Sequence, residues 1–302
     1  MKVLVSGATG FLGRHIVDEL DRLLYSIDTI GRSGKATLFS DLTKEMAAIT
    51  NKYDLVVHVA GKAHLVPRTE EEKQDFYNVN FEGTKHLLEA LIHPPKNFVF
   101  ISTVSVYGLD FGNNISENAP LTSDEPYGKS KIMAEGLITK WGETKNVTTT
   151  ILRLPLLFGK NPPGNLESMI NAIKGNYYFN IGKGDVRKSM VFASDVAAFI
   201  PNIMKFGGIY NLTDGFHPSF KELSDEIASF HKRRNSISIP FFVIKILANL
   251  GELMQKVSKK KMPLNKRQFI KMTKPLTFND NKARDLGWMP RKIIDHPDDW
   301  LT

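Results

Sequence analysis

The 302-residue chain contains no cysteine. This excludes disulfides and thiolate metal sites, and it fits a reducing compartment. No apolar run approaches the roughly 20 residues that cross a bilayer; the nearest, residues 239–250, is broken by Lys245. The eight histidines show no HExxH or comparable ligand spacing, so no metal is expected. Neither an internal repeat nor a low-complexity segment is present. Met1-Lys2 leads straight into a strand-like run and not into the apolar stretch of a signal peptide, so the expected location is cytoplasmic. Forty basic against 32 acidic residues give a net charge of +8. No nucleic-acid motif accompanies that charge, so nucleic acid is not the expected partner.

What is present is an alternation of short apolar runs and amphipathic stretches over the first half. The runs at residues 2–6, 26–30, 54–60, 98–102 and 147–154 read as strands, and residues 11–24, 70–91 and 126–141 read as helices. This order implies an α/β fold, a parallel sheet with helices on both faces and ligands at the carboxyl ends of the strands. Gly7, Ala60, Ser102, Thr103 and Arg153 fall at such ends. The second half reads differently, with helices over 165–174, 194–204, 220–231 and 241–257 between short strands and turns. The expected division is therefore 1–155 for the sheet domain and 156–302 for a smaller substrate lobe, with more than one crossing allowed. The hydrophobic fraction of 42% suffices for a large core in such a unit.

Three clusters carry the chemistry. Gly7, Gly10 and Gly13 follow the first strand, one position looser than G-x-G-x-x-G. Such a loop lets the backbone turn and brings a diphosphate to a helix N-terminus. Tyr127 and Lys131 lie one helical turn apart, and a cation so placed lowers the pKa of a phenol that is otherwise near 10. Thr103 precedes Tyr127 by 24 residues, at the end of an apolar strand. A lone YxxxK is usually plain helix surface; together with Thr103 and the glycine loop it reads as machinery for hydride transfer. At the end of the second strand stand Arg32 and Ser33, where a basic group suits the 2′-phosphate of NADP and an acidic one the 2′-hydroxyl of NAD. NADP is therefore expected, with NAD the alternative if Arg32 is a solvated loop charge. Asp28 lies too early in that strand to reach the ribose.

On these residues the chain resembles the extended short-chain dehydrogenase/reductases of the nucleotide-sugar epimerase/dehydratase group. The likeness runs nearly end to end. It takes in Gly7–Gly13, Asp41-Leu42, His58-Val59-Ala60-Gly61, Asn78-Val79-Asn80, Ser102-Thr103, Tyr127–Lys131, Arg153-Leu154-Pro155, Gly164-Asn165, Arg187, Asp195 and Leu286-Gly287-Trp288. Residues 58–64, 153–165 and 211–219 look most like bacterial UDP-sugar 4-reductases and 4-epimerases of surface-polysaccharide pathways. The resemblance implies a Rossmann-type doubly wound sheet. It also implies that Tyr127 is the general acid/base, that Thr103 bonds the reacting oxygen, and that Lys131 holds the nicotinamide ribose. Cofactor contacts are implied for Gly7, Thr9, Gly10, Phe11, Leu12, Gly13, Arg32, Ser33, Asp41, Leu42, Val59, Ala60, Gly61, Asn80, Ser102 and Pro155. Asp41 would accept from the adenine amino group, or else cap a helix over 42–45. Asn80 would brace the backbone beside the site, or else be a plain helix asparagine. Asn165 and Arg187 match substrate contacts, Arg187 gripping the nucleotide diphosphate. Lys62 and His64 follow the fourth strand and either border the sugar or are solvated.

Departures from the pattern narrow the reaction. The 4,6-dehydratases of this group carry Asp-Glu directly after the active-site threonine; here Val104 and Ser105 stand there, which argues against dehydration. The leading expectation is NADPH reduction of a UDP-4-keto-6-deoxy-N-acetylhexosamine, and the alternative is a UDP-hexose 4-epimerase that keeps NAD bound. A 3β-hydroxysteroid dehydrogenase-like enzyme is opposed by Asn165 and Arg187, and a catalytically inert regulator by the intact Thr103, Tyr127 and Lys131. A homodimer through helices 70–91 and 126–141 is also implied. The basic run 256–261, after apolar residues 241–253, reads either as a peripheral membrane contact or as a core helix followed by a solvated loop.

Overall fold

The computed structural model describes residues 1–63, 66–162, 164–246 and 266–301. His64, the basic run 256–261 and most of the helix expected over 241–257 lie outside the described residues. A seven-stranded, wholly parallel sheet organises the molecule. Its strands are β1 (Lys2–Ser6), β2 (Ser26–Gly31), β3 (Leu38–Phe39), β4 (Leu55–His58), β5 (Asn97–Thr103), β7 (Thr148–Leu154) and β11 (Gly208–Asn211). They lie in the order β3-β2-β1-β4-β5-β7-β11, so the chain winds outward from β1 in both directions. This is the doubly wound arrangement, with its switch point between β1 and β4.

Period-two alternation sorts the strand side chains onto two faces. Val3, Val5, Leu55, Val57, Val99, Ile101, Leu152 and Leu154 pack against α1 (Phe11–Arg22) and α6 (Ala193–Ile203). Leu4, Val56, Phe98, Phe100 and Ile151 pack on the other face, against α3 (Gly83–Ala90) and α4 (Pro126–Lys145). Both faces are therefore covered, which is why the runs Val3–Val5, Leu55–Val57 and Phe98–Ile101 are apolar throughout.

The long helix expected over 70–91 is interrupted. It comprises α2 (Glu70–Tyr77), a π-helical turn at Asn78–Glu82, and α3. Thr69 and Glu72 form a reciprocal capping box at its start. The π turn widens the helix locally, a feature that sequence periodicity does not signal and that recurs at functional sites. Helix α4 begins with Pro126 at its first turn and ends at Asn146, which adopts the left-handed conformation (φ 56°). No helix forms over 42–45; Lys44 N–H closes a turn on the Asp41 carbonyl instead.

A second lobe is built from short parallel pairs: β8 (Leu156–Phe158) with β10 (Met190–Phe192), β9 (Phe179–Ile181) with β12 (Ile237–Ile239), and β6 (Gly112–Ile115) with β13 (Leu276–Phe278). Its own core joins Phe158, Ile170 and Ile173 to Leu223, Ile227 and Trp300, drawing on α5 (Asn165–Lys174) and α7 (Phe220–Phe230). Residues 193–211 leave this lobe and rejoin the main sheet through α6 and β11. No described helix is long and apolar enough to cross a membrane.

The tightest point is where α1 meets β1. A Cβ on Gly13 would lie 2.0 Å from the Gly7 carbonyl oxygen, and one on Gly7 (φ +72°) 2.6 Å from Ala60 N. Gly13→Ala is expected to destabilise the cofactor-free protein by about 1–3 kcal/mol, measured by urea denaturation. Unchanged stability would mean that the loop and helix are not locked in this contact.

Candidate active site

The glycine loop leaves the α1 N-terminus open. Gly10 is the N-cap, no side chain caps the helix, and its first turn carries no acidic residue. Several backbone N–H groups there lack intrahelical partners, so the end suits a diphosphate. Gly7 and Gly13 provide the close approach, and the residues present thus fit a dinucleotide. Thr9 is exposed, and its carbonyl accepts a 3.0 Å bond from Arg14 Nε. The Arg14 side chain makes no other hydrogen bond with a described residue, which leaves its Nη groups beside the loop. Sequence reading passed over Arg14, although its place directly after the third glycine was a usable signal. Phe11 meets the His15 ring edge-on at 5.6 Å, and the Leu12 side chain is buried in the core.

At the end of β2, Arg32 is exposed and makes no hydrogen bond or ion pair with any described residue. Ser33 Oγ accepts from Lys35 N–H at 3.2 Å. Asp28 is occupied elsewhere, accepting from the Tyr53 hydroxyl at 2.8 Å and pairing with Lys2 at 3.2 Å. Asp41 Oδ1 accepts from both Thr43 N–H and Thr43 Oγ1. These bonds lower its pKa, and the charge of Arg32 adds to the effect. Leu42 is a core residue packed on Gly83, and its carbonyl is bonded to His86 Nδ1 at 2.9 Å, so its side chain is not open to a ligand.

Six hydrogen bonds run from β4 to α4, and their directions are mutually consistent. Ala60 N–H donates to Ser6 Oγ (3.2 Å), and Ser6 Oγ lies 2.6 Å from His58 Nδ1. His58 Nε2 lies 2.9 Å from Thr84 Oγ1, which donates at 2.7 Å to the Asn80 carbonyl. With Thr84's proton committed, Nε2 carries the imidazole proton and Nδ1 accepts from Ser6. Asn80 Nδ2 then donates to Ser130 Oγ (3.0 Å), and Ser130 donates to the carbonyl of Tyr127 (2.9 Å). Asn80 also exchanges bonds with both backbone groups of Lys62. Lys62 Nζ itself pairs with Asp75 at 2.6 Å. Asn80, within the π turn, therefore links the β4 loop to α4.

Tyr127 is partly buried on the first turn of α4, its ring 6.0 Å from that of Phe76. Burial raises the pKa of its phenol, opposed by a hydrogen bond shared with the Thr103 hydroxyl. Thr103 is buried at the end of β5, and its Oγ1 also accepts from Ser105 N–H at 3.2 Å. Lys131 is buried one turn beyond Tyr127. Its Nζ donates to the Ile101 carbonyl at 2.9 Å and sits 4.5 Å from the Phe100 ring centre. Burial lowers its pKa to about 8, while the carboxylate of Glu135 opposes the shift. The bond to Ile101 anchors the ammonium on β5, one helical turn along α4 from Tyr127. Gly61 closes the group, since a Cβ there would lie 3.0 Å from Asn80 Oδ1 and 3.2 Å from Lys131 Nζ.

Beneath lies a second buried cluster. Arg153 donates to Glu135 through Nε (3.1 Å) and Nη2 (2.7 Å), and through Nη1 to the Tyr107 hydroxyl (3.1 Å). The hydroxyl of Ser102 also donates to Glu135, so at Ser102 only the backbone remains for a cofactor. Glu135 was not singled out from the sequence, yet its spacing from Tyr127 and Lys131, four residues at each step, places all three on one helix face. Val59 N–H donates to the Ser6 carbonyl, and Pro155 links β7 to β8.

The two residues expected to bind substrate lie in the second lobe. Asn165 opens α5 behind Gly164 (φ +76°), a helix end with no side-chain cap; its side chain lies outside the described part. Arg187 is more engaged than expected. Its Nη1 donates to the His217 carbonyl (2.9 Å), its Nη2 pairs with Glu222 (3.2 Å), and its guanidinium lies 5.4 Å from the Phe216 ring centre. A diphosphate reaching Arg187 would compete with these bonds.

The family assignment follows. Residues 3–212 match the NAD dependent epimerase/dehydratase family, and the chain belongs to it, within the extended short-chain dehydrogenases/reductases. It is thus an enzyme of the nicotinamide-dependent epimerase/dehydratase type. It is similar to N-acetyl-alpha-D-glucosaminyl-diphospho-ditrans,octacis-undecaprenol 4-epimerase of Escherichia coli O157:H7, at 26% identity over 95% of this chain and 90% of that one. Its fold is shared with UDP-glucuronic acid 4-epimerase from Bacillus cereus in complex with NAD (TM-score 0.74, 19% identity, 100% of this chain and 97% of that one). It is shared equally with RMD from Pseudomonas aeruginosa complexed with NADPH (TM-score 0.73, 20% identity, 100% of both chains).

His58 gives a pH signature. Burial, with the charge of Lys131 adding to it, lowers its pKa from 6.5 to about 3. The unfolded chain therefore takes up this proton at higher pH than the folded one, and stability falls as pH drops from about 6.5 toward 3. Between pH 7 and 5 this group is expected to cost about 2 kcal/mol. Urea titrations at both pH values should show that loss in wild type and its absence in His58→Gln; parallel losses would contradict a neutral, buried His58.

Proposed function

We propose that this enzyme is an NADPH-dependent reductase acting at C4 of a nucleotide-linked 4-keto sugar, with a UDP-4-keto-6-deoxy-N-acetylhexosamine as substrate. The observation that carries the reductive reading is Arg32, an exposed guanidinium at the end of β2 whose side chain makes no hydrogen bond or ion pair with a described residue, with Ser33 beside it. Such a fork suits a 2′-phosphate, and an exchangeable NADPH suits net reduction.

The nicotinamide cofactor, when bound, supplies the hydride. Tyr127, kept as a neutral phenol by its surroundings, gives its proton to the oxygen at C4. The Thr103 hydroxyl orients that oxygen and the phenol together. Lys131, buried yet held close to a carboxylate, supplies positive charge next to the phenolate that remains. Asn80 and Ser130 fix the turn that carries Tyr127. The α1 N-terminus and Arg14 take the dinucleotide diphosphate; the α5 N-terminus and Arg187 take that of the substrate. Val104 and Ser105 provide no acid/base pair for dehydration. The reading includes pairing of two copies along α2–α3 and α4.

A second reading, 4-epimerisation, is favoured by one finding, the similarity to a 4-epimerase over 95% of the chain. There Tyr127 acts first as base and then as acid, and NAD stays bound through both half-reactions.

Calorimetry with NADPH and NADH separates the two. Arg32→Ala is expected to lose about 10- to 100-fold in NADPH affinity with NADH binding unchanged. Equal affinities in wild type, or NAD that co-purifies, would favour the epimerase. In either case Tyr127→Phe should lower kcat by about 10²–10⁴-fold while leaving cofactor affinity intact. A variant that retains wild-type turnover would remove Tyr127 from the reaction.

A further inference from the structure

One corner of the second lobe carries a surface that the proposed chemistry does not use. Its frame is the parallel pair β9 and β12, in which Phe179 lies opposite Ile237. Tyr177 stands just before β9, and beyond β12 the chain continues through Pro240 to Phe241, Phe242 and Ile246. All six side chains are exposed, Ile237 by 76%, Tyr177 by 67% and Phe242 by 63%. Scattered single apolar residues are ordinary on a surface; a group gathered on one strand pair and its continuation is not.

The two segments that carry this group hold charge of one sign, with Glu167 and Asp185 just outside the first. Residues 168–184 contain two basic residues, Lys174 and Lys183, and residues 231–246 contain four, Lys232, Arg233, Arg234 and Lys245. Neither segment contains aspartate or glutamate. All six cations are exposed, and none forms an ion pair with another described residue. Elsewhere in this lobe lysines and arginines do find carboxylates, as Arg187 does with Glu222 and Lys221 with Asp225.

We propose that this corner docks on an anionic lipid bilayer. Tyr177, Phe179, Ile237 and Phe242 enter the headgroup layer, and the six cations face lipid phosphates. Long basic side chains suit this arrangement, since their stems lie along apolar surface while the charges reach outward. A second copy of the chain is a poor occupant, because a two-fold contact would set the six cations against their own equivalents. The patch borders the C-terminal end of α5, whose ten residues span about 15 Å. The bilayer would therefore lie about one helix length from the end that Asn165 opens. The inference stands on this surface and is independent of which sugar reaction the enzyme performs.

The test is sedimentation of the full-length protein with vesicles of phosphatidylcholine alone and of phosphatidylcholine mixed with phosphatidylglycerol. Wild type is expected to bind the mixed vesicles at low salt, to leave them at high salt, and to ignore the neutral ones. Arg233→Glu combined with Arg234→Glu should reduce partitioning at least about tenfold, and Phe242→Ser should reduce it at constant charge. Thermal midpoints equal to wild type establish that the variants are folded; Lys245→Glu is the replacement if the double variant is not. Failure of wild type to bind the mixed vesicles overturns the proposal, as does undiminished binding by the folded variants. So does a concentration-dependent dimer in sedimentation velocity that Ile237→Glu abolishes, since that would make the corner a self-association face.

Discussion

The geometry around Tyr127 depends on a line of hydrogen bonds in which each hydroxyl has one proton and one direction to send it. The line begins at the Ala60 amide, passes through Ser6, His58, Thr84 and Asn80, and ends on the Tyr127 carbonyl through Ser130. Ser6 ends β1, His58 ends β4, and Ser130 lies on α4, so three elements are set against one another by one line. Its direction fixes the histidine tautomer, and its burial keeps the ring neutral. A charged imidazole would need to donate from both nitrogens, and Ser6 would then have to turn its proton away. The glycine loop and the α4 turn are thereby positioned together.

Electrostatics around Lys131 work in a complementary way. Three charged or proton-bearing groups follow one face of α4 at single-turn intervals: a phenol, an ammonium and a carboxylate. The carboxylate of Glu135 is neutralised by Arg153, whose Nη1 donates to the Tyr107 hydroxyl and the Glu117 carbonyl. The pair joins α4 to the carboxyl end of β7, and it is buried. Buried ion pairs add little net stability; this one matters for what it does to the lysine above it.

Much of this was legible in the chain. Strands buried on both faces are continuous apolar runs, and three glycines after the first run identify the turn onto α1. Thr103, Tyr127 and Lys131 are brought together because one strand end and one helix start carry them all. What the sequence could not convey depends on contacts between distant segments. The partner of His58 is Thr84, 26 residues on, and nothing in either residue signals the other. The π turn leaves no mark in the periodicity, and without it Asn80 is an ordinary helix residue. Arg187 has the right position and charge, but its bonds to the 216–222 segment appear only once the second lobe is folded. Ser102 and Leu42 lie in the right motifs, yet their side chains turn inward.

The π turn at Asn78–Glu82 has one more consequence. Such a turn is an α-helix with a single residue inserted, and the helix on either side keeps its facing. A chain one residue shorter here could run from Glu70 to Ala90 as one regular helix, with Phe76, Leu87 and Leu88 still directed into the core. The aim of Asn80 would change, and with it the bonds to Lys62 and Ser130. The packing of the domain and the fine placement of the tyrosine are therefore separable at this point.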